Sequence, residues 1–190
     1  MFTNHSGVFY GQKMADPALM WIGQNIVIRH RTLEAYELEK PIWTEDDFKV
    51  MGWHDAKVWG FLAKPKAWEY LIDLDYIFKW VHPKEGEEYF KFWVAPVTMV
   101  FENAFDINID IESQQGEIEV ADLHMENPRN AKNGKFTEYT FRFECQEGEI
   151  ALSATGFKMY VQKIPVLQQG QSLELIERGG VNFWRELNAL

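Results

Sequence analysis

Cysteine is nearly absent: Cys145 stands alone among 190 residues, so no internal disulfide can form and a thiolate metal cluster is excluded. Cationic side chains are scarce too. Only 19 Lys and Arg face 29 Asp and Glu, a formal net charge of −10, which works against a phosphate backbone, so no nucleic-acid partner is expected. No apolar run approaches the ~20 residues that a membrane-spanning helix needs. The opening Met1-Phe2-Thr3-Asn4-His5-Ser6 lacks the cationic start and apolar stretch of a signal peptide, so the expected location is cytoplasmic. Gly-x-Ser-x-Gly, His-Glu-x-x-His and a Gly-rich phosphate loop are all missing, and no cofactor or metal is expected.

Apolar residues, in contrast, are plentiful. They make up 46% of the chain and aromatics 15%, with 8 Trp and 14 Phe, which excludes disorder for most of its length and suits one domain with its own core. The clearest local pattern runs from Phe101 to Ser113. Phe101, Phe105, Ile107, Ile109 and Ile111 share one parity, and Glu102, Asp106, Asn108, Asp110 and Glu112 the other. Period-two alternation of this length predicts an antiparallel strand with one buried and one wet face. Phe105, Ile107, Ile109 and Ile111 are therefore expected to face inward, and Ile109→Asp to be severely destabilising.

Similar patterns cover Trp53–Ala63, Tyr70–Val81, Tyr89–Met99, Glu117–Met125, Thr137–Gln146 and Glu149–Gln162. Pro96 interrupts one of them and predicts a bulge, a bend or an edge. Gln114-Gln115-Gly116 and Gln146-Glu147-Gly148-Glu149 read as hairpin turns, and 127–135 as a longer polar loop. The expected fold is mainly β: an antiparallel meander of about seven strands, forming a curved sheet, a sandwich or a barrel. Residues 1–50 read as an N-terminal extension, helical near Pro17–Gln24 and Leu33–Leu38, and residues 51–190 as the β domain. A helical turn is expected over Leu173–Arg178, ending at Gly179-Gly180.

Three groups of residues could carry chemistry. Between Phe92 and Pro128 there are eight acids (Glu102, Asp106, Asp110, Glu112, Glu117, Glu119, Asp122, Glu126) and no Lys or Arg. A solvated strand face accounts for polar residues there, but such faces normally mix signs because like charges on neighbouring strands repel. An uncompensated acidic face points to a cationic partner. His54, Asp55, Asp73, Asp75 and His124 form the best enzyme-like set: carboxylates two residues apart on a strand share a face, where one could be pushed into a general-acid role or a hard cation could bridge them. The spacing matches no established motif. Trp80, Tyr89, Phe90, Phe92 and Trp93 crowd the Val81–Glu88 connection, as core filling or as the lining of an apolar cavity. Cys145 alternates with Phe141 and Phe143 and reads as a buried, inert thiol, and Ser153 lies within a strand.

Trp53-His54-Asp55, Leu71-Ile72-Asp73-Leu74-Asp75-Tyr76-Ile77, Phe92-Trp93-Val94-Ala95-Pro96, Val100-Phe101-Glu102-Asn103 and Ala154-Thr155-Gly156-Phe157 resemble an uncharacterised group of small bacterial β-rich proteins over residues 50–180. The resemblance implies a shared fold and no particular activity. The leading functional expectation is a non-enzymatic interaction protein whose acidic sheet face, through Glu102, Asp106, Asp110 and Glu112, binds a basic protein, with an immunity-like role among its forms. The alternatives are a protein binding a small apolar ligand, and a hydrolase or metal-dependent enzyme using His54, Asp55, Asp73 and Asp75.

Overall fold

The computed structural model describes residues 35–187. The helix expected near Pro17–Gln24 lies outside the described residues, and residues 35–38 contain no helix. Ten strands follow: β1 (Ile42–Thr44), β2 (Ala56–Lys64), β3 (Glu69–Val81), β4 (Lys91–Glu102), β5 (Phe105–Ile111), β6 (Glu119–Asn130), β7 (Thr137–Cys145), β8 (Gly148–Ala154), β9 (Gly156–Val161) and β10 (Val166–Gln168). They form one antiparallel sheet in the order β1-β9-β4-β3-β2-β6-β7-β8-β5, with β10 added beside β4. The path does not close into a ring; β1 and β5 are its ends. Among the described residues no helix is long and apolar enough to cross a membrane.

The region from Trp53 to Gln162 thus holds eight strands, because the alternating run from Glu149 onward breaks at Thr155 into β8 and β9. That break lets β8 pair with β7 while β9 pairs with β4. The sheet consequently folds back on itself, and rings from distant strands meet: Phe101 of β4 lies 5.1 Å from Phe141 of β7, and Phe157 of β9 lies 5.8 Å from Phe141. Phe101, Phe141, Phe143 and Phe157 are all fully buried, and each such side chain stabilises the fold by ~1.5–3 kcal/mol relative to exposure. Pro96 falls where β4 changes neighbours, between its β10 pairs at 92–94 and its β9 pairs at 97–102, so the missing N–H leaves no gap in a ladder.

Both faces of β3 are buried. Tyr70, Ile72, Leu74 and Tyr76 enter the main core. On the other face Ile77 packs with Phe92, Val94 and Leu173, because the C-terminal segment lies across it. This segment carries the expected helical turn, α1 (Leu175–Arg178), closed by Gly179 in the left-handed conformation (φ 86°).

The inward burial expected for Phe105, Ile107 and Ile109 is corrected, whereas Ile111 packs against the core as expected. Ile107 is 41% and Ile109 46% exposed. A bulge between Phe105 and Asn108, with Asp106 at φ 50°, inserts one residue and reverses the alternation. Phe105 is therefore paired with Ser153 on the outer face, where the Arg129 guanidinium lies over its ring. Ile109 does share a face with its partner Ile150, which is fully buried. It remains exposed because β5 is the last strand and only its β8 side is covered.

Candidate functional site

Asp73 and Asp75 come together, but not on a wet face. Both are fully buried under the C-terminal segment, and Arg178 is the group they surround. Arg178 donates from Nη2 to Asp73 Oδ1 (2.7 Å), from Nη1 to Asp73 Oδ2 (2.8 Å) and from Nε to Asp75 Oδ1 (3.2 Å). The Asn182 amide adds a bond to Asp73 Oδ2 (2.9 Å), and Asp75 Oδ2 accepts from the Leu173 amide (2.8 Å) and Trp59 Nε1 (2.9 Å). The same Trp59 ring lies 4.9 Å from the guanidinium. Trp59 reaches this face because a bulge between Val58 and Gly60 gives β2 an extra residue. Gly60 follows for want of space: a Cβ there would stand 2.9 Å from Val181 of the covering segment.

Burial pushes the Asp73 carboxyl above its usual range, and the Arg178 hydrogen bonds act against that shift. Gln162 Oε1 and Asn182 Nδ2 are buried in the same cluster without a partner, two unmet bonds that the ion pairs have to outweigh. With every Asp75 and Asp73 oxygen engaged by the chain itself, the arrangement is a clasp that holds the C-terminal segment to the sheet.

His54 and His124 do not join it. His54 is stacked on Trp80, with Nδ1 donating to the Ala121 carbonyl (3.3 Å) and Nε2 3.3 Å from Asp55. Asp55 has φ 64° and accepts a hydrogen bond from Gln171, so it too anchors the C-terminal segment. His124 instead contacts Glu144 at 3.2 Å. Among the described residues no three His, Cys, Asp or Glu side chains converge as a metal site would need.

The five aromatics around the Val81–Glu88 connection line neither of two cavities. One groove of about 420 Å³ is lined by Phe48, Met51, Trp53, Leu123 and Met125 with charged residues beside them. Another of about 400 Å³ lies under Ile164, Val166, Leu167 and Leu173. Trp80 packs edge-to-face on Phe92 (4.9 Å) and Phe90 (5.9 Å) instead.

The acids of the 92–128 stretch divide into two sets. Glu102 pairs with Lys158 (2.5 Å), Glu117 with Lys57 (2.7 Å) and Glu126 with Arg142 (3.2 Å). Hydrogen bonding by Lys57 holds the Glu117 carboxyl below its usual range, whereas burial, and then the nearby Asp55, pushes Glu119 up. Asp106, Asp110 and Glu112 are exposed and enter no ion pair among the described residues. Register gives Asp110 further company. Asp110 lies opposite Glu149, Glu149 opposite Glu144, and Glu144 opposite Asp122, so one row of four carboxylates crosses β5, β8, β7 and β6. Among the described residues only Arg142, 3.5 Å from Glu149 and 3.8 Å from Glu144, and His124 pair with the row. Glu144 and Glu149 escaped the sequence reading as site residues, although the two-residue turn at 146–147 fixes their pairing. Arg178 escaped it because nothing local marks a cation that meets its partners 105 residues away.

No protein-family model, curated protein or solved structure matches the chain.

Proposed function

We propose that the protein is a non-enzymatic interaction module that binds a basic protein partner on the outer face of β5, β8, β7 and β6. The observation that carries it is the row Asp110–Glu149–Glu144–Asp122. Like charges placed directly opposite destabilise a sheet, and this face repeats the penalty three times in succession, with Arg142 and His124 as the compensating groups among the described residues. A local rule broken at one place without local gain is the mark of a functional surface. A cationic partner relieves the repulsion and is steered by the same field. The engagement of Asp73 and Asp75 by the chain's own donors supports a binding role over a hydrolytic one.

The test uses Asp106→Lys with Asp110→Lys. Thermal melts of the double variant are expected to stay close to wild type, because the repulsion removed offsets the strain of Lys at the positive φ of Asp106. Association with a basic partner isolated on the wild-type protein is expected to slow, most strongly at low salt. An association rate that stays the same at low and high salt would remove the acidic face from the function.

A further inference from the structure

We infer that the partner adds to β5 as an eleventh strand, an extended segment that alternates apolar with cationic residues; the inference rests on the acidic-face reading above and specifies its mode. β5 ends the sheet, and over seven residues its N–H and C=O groups are offered to a neighbour on one side only, toward β8. The opposite end, β1, is three residues long, too short to template much pairing. Five consecutive residues of β5, from Asp106 to Asp110, are exposed, so nothing among the described residues covers this edge.

The two faces of β5 dictate the chemistry of the added strand. On the inner face Ile107 and Ile109 are exposed apolar side chains beside Ile150, while Ile111 already packs on the core. Apolar residues at alternate positions of an incoming strand would cover them and extend the core by one strand. On the outer face the incoming strand's remaining positions lie beside Asp110, at the open end of the carboxylate row, where Lys or Arg makes favourable cross-strand pairs. Strand addition thus satisfies backbone, apolar and charged groups together.

A second copy of β5 does not fit. Antiparallel pairing centred on Asn108 would set Asp106 of one chain opposite Asp110 of the other, twice over, and the acids therefore act against self-association while admitting a basic strand. Arg129 lies over Phe105 at the first residue of β5, so the acidic stretch offered to a partner begins after it, at Asp106.

The probes are capped seven-residue peptides titrated into the full-length protein: one alternating lysine and valine, one with the same composition in two blocks, and the alternating peptide with N-methyl groups on one backbone edge at a time. Binding is read by calorimetry and by hydrogen exchange of the β5 amides. The alternating peptide is expected to bind at least about tenfold tighter than the block peptide, to protect alternate β5 amides, and to lose binding when one of its edges is methylated. Asp106→Lys with Asp110→Lys is expected to weaken it by at least about tenfold. Equal, salt-sensitive binding of all peptides with no amide protection would overturn strand addition and leave the acidic-face reading standing. Absence of binding by every peptide at low salt would overturn both.

Discussion

Arg178 and Asp73 form a two-pronged ion pair, with bonds of 2.7 and 2.8 Å, between side chains that are both fully buried. A fully buried guanidinium is tolerated only where its donors are matched, and here Asp73, Asp75 and the Gly180 carbonyl take them. The pair fixes where the C-terminal segment lies. It sets Leu173 against Ile77, Phe92 and Val94, which would otherwise leave the outer face of β3 and β4 open to water.

Arg178→Met should therefore cost about 3–5 kcal/mol, since it leaves two buried carboxylates facing each other without a cation. Arg178→Lys should recover only part of this, because an ammonium cannot span both Asp73 oxygens and reach Asp75. Urea unfolding measures both. A loss below about 1 kcal/mol for the Met variant would mean that the clasp is not what holds the segment.

Cys145 should be silent toward thiol reagents in the native protein. Burial pushes its thiol up to about 12, with Glu147 and Glu149 adding to the shift, and Sγ lies 3.8 Å from the Phe143 carbonyl. A thiol in that state is almost wholly protonated at neutral pH, and the thiolate is the nucleophile. Labelling by a maleimide or an aromatic disulfide should wait for unfolding and follow its rate; labelling in seconds under native conditions would contradict the burial.

The sequence made the class of fold legible because strand alternation and hairpin turns are local signals. Phe141, Phe143 and Cys145 share a parity, and all three are buried. What it hid are the places where a local pattern is overridden from far away. The Asp73 and Asp75 parity reads as wet, and only the return of Arg178 and Leu173 makes it dry. The Ile107 and Ile109 parity reads as dry, and only the position of β5 at the end of the sheet makes it wet. Neither the strand order nor the bulge at Asp106 is written in the alternation. The acidic surplus was legible as composition, but its arrangement into a row needed the register of four strands.

Ile109 and Ile150 give a direct check on that difference, being opposite one another in β5 and β8. Ile150→Asp should be severely destabilising, by more than about 4 kcal/mol, because it buries an unpaired charge in the core. Ile109→Asp should cost no more than about 1 kcal/mol, as a half-exposed edge position lets the carboxylate reach water. Denaturant midpoints of the two variants measured side by side decide it; equal losses would place a covering layer over β5.

Arg185 provides a pH-dependent hold on the C-terminal segment through Glu69 at the start of β3. Its Nη1 donates to Glu69 Oε1 at 3.1 Å, and Nη2 bonds the other oxygen. These hydrogen bonds hold the Glu69 carboxyl below its ordinary value of 4.5, with burial acting the other way. A carboxyl whose folded value is depressed stabilises the fold above its unfolded value, and that stability is lost as pH falls through the folded value. Acidification from 4.5 downward should therefore loosen this contact, by no more than about 1 kcal/mol because the pair is partly open to solvent. Other carboxyls act in or near the same window, among them Glu87 and Glu117, held down by Lys91 and Lys57, and Glu119, pushed up by burial. Asp47, lowered by its bond to Lys40, contributes with the same sign, whereas Asp73, raised by burial, makes the fold less stable as pH climbs above 3.8. The informative quantity is accordingly the difference between wild type and Glu69→Gln, since the contributions of the other carboxyls are common to both proteins. Wild type should be the more stable of the pair at pH 7, and the gap should close as pH falls below 4.5. A gap that persists unchanged at low pH would mean that Glu69 contributes through packing and not through its charge.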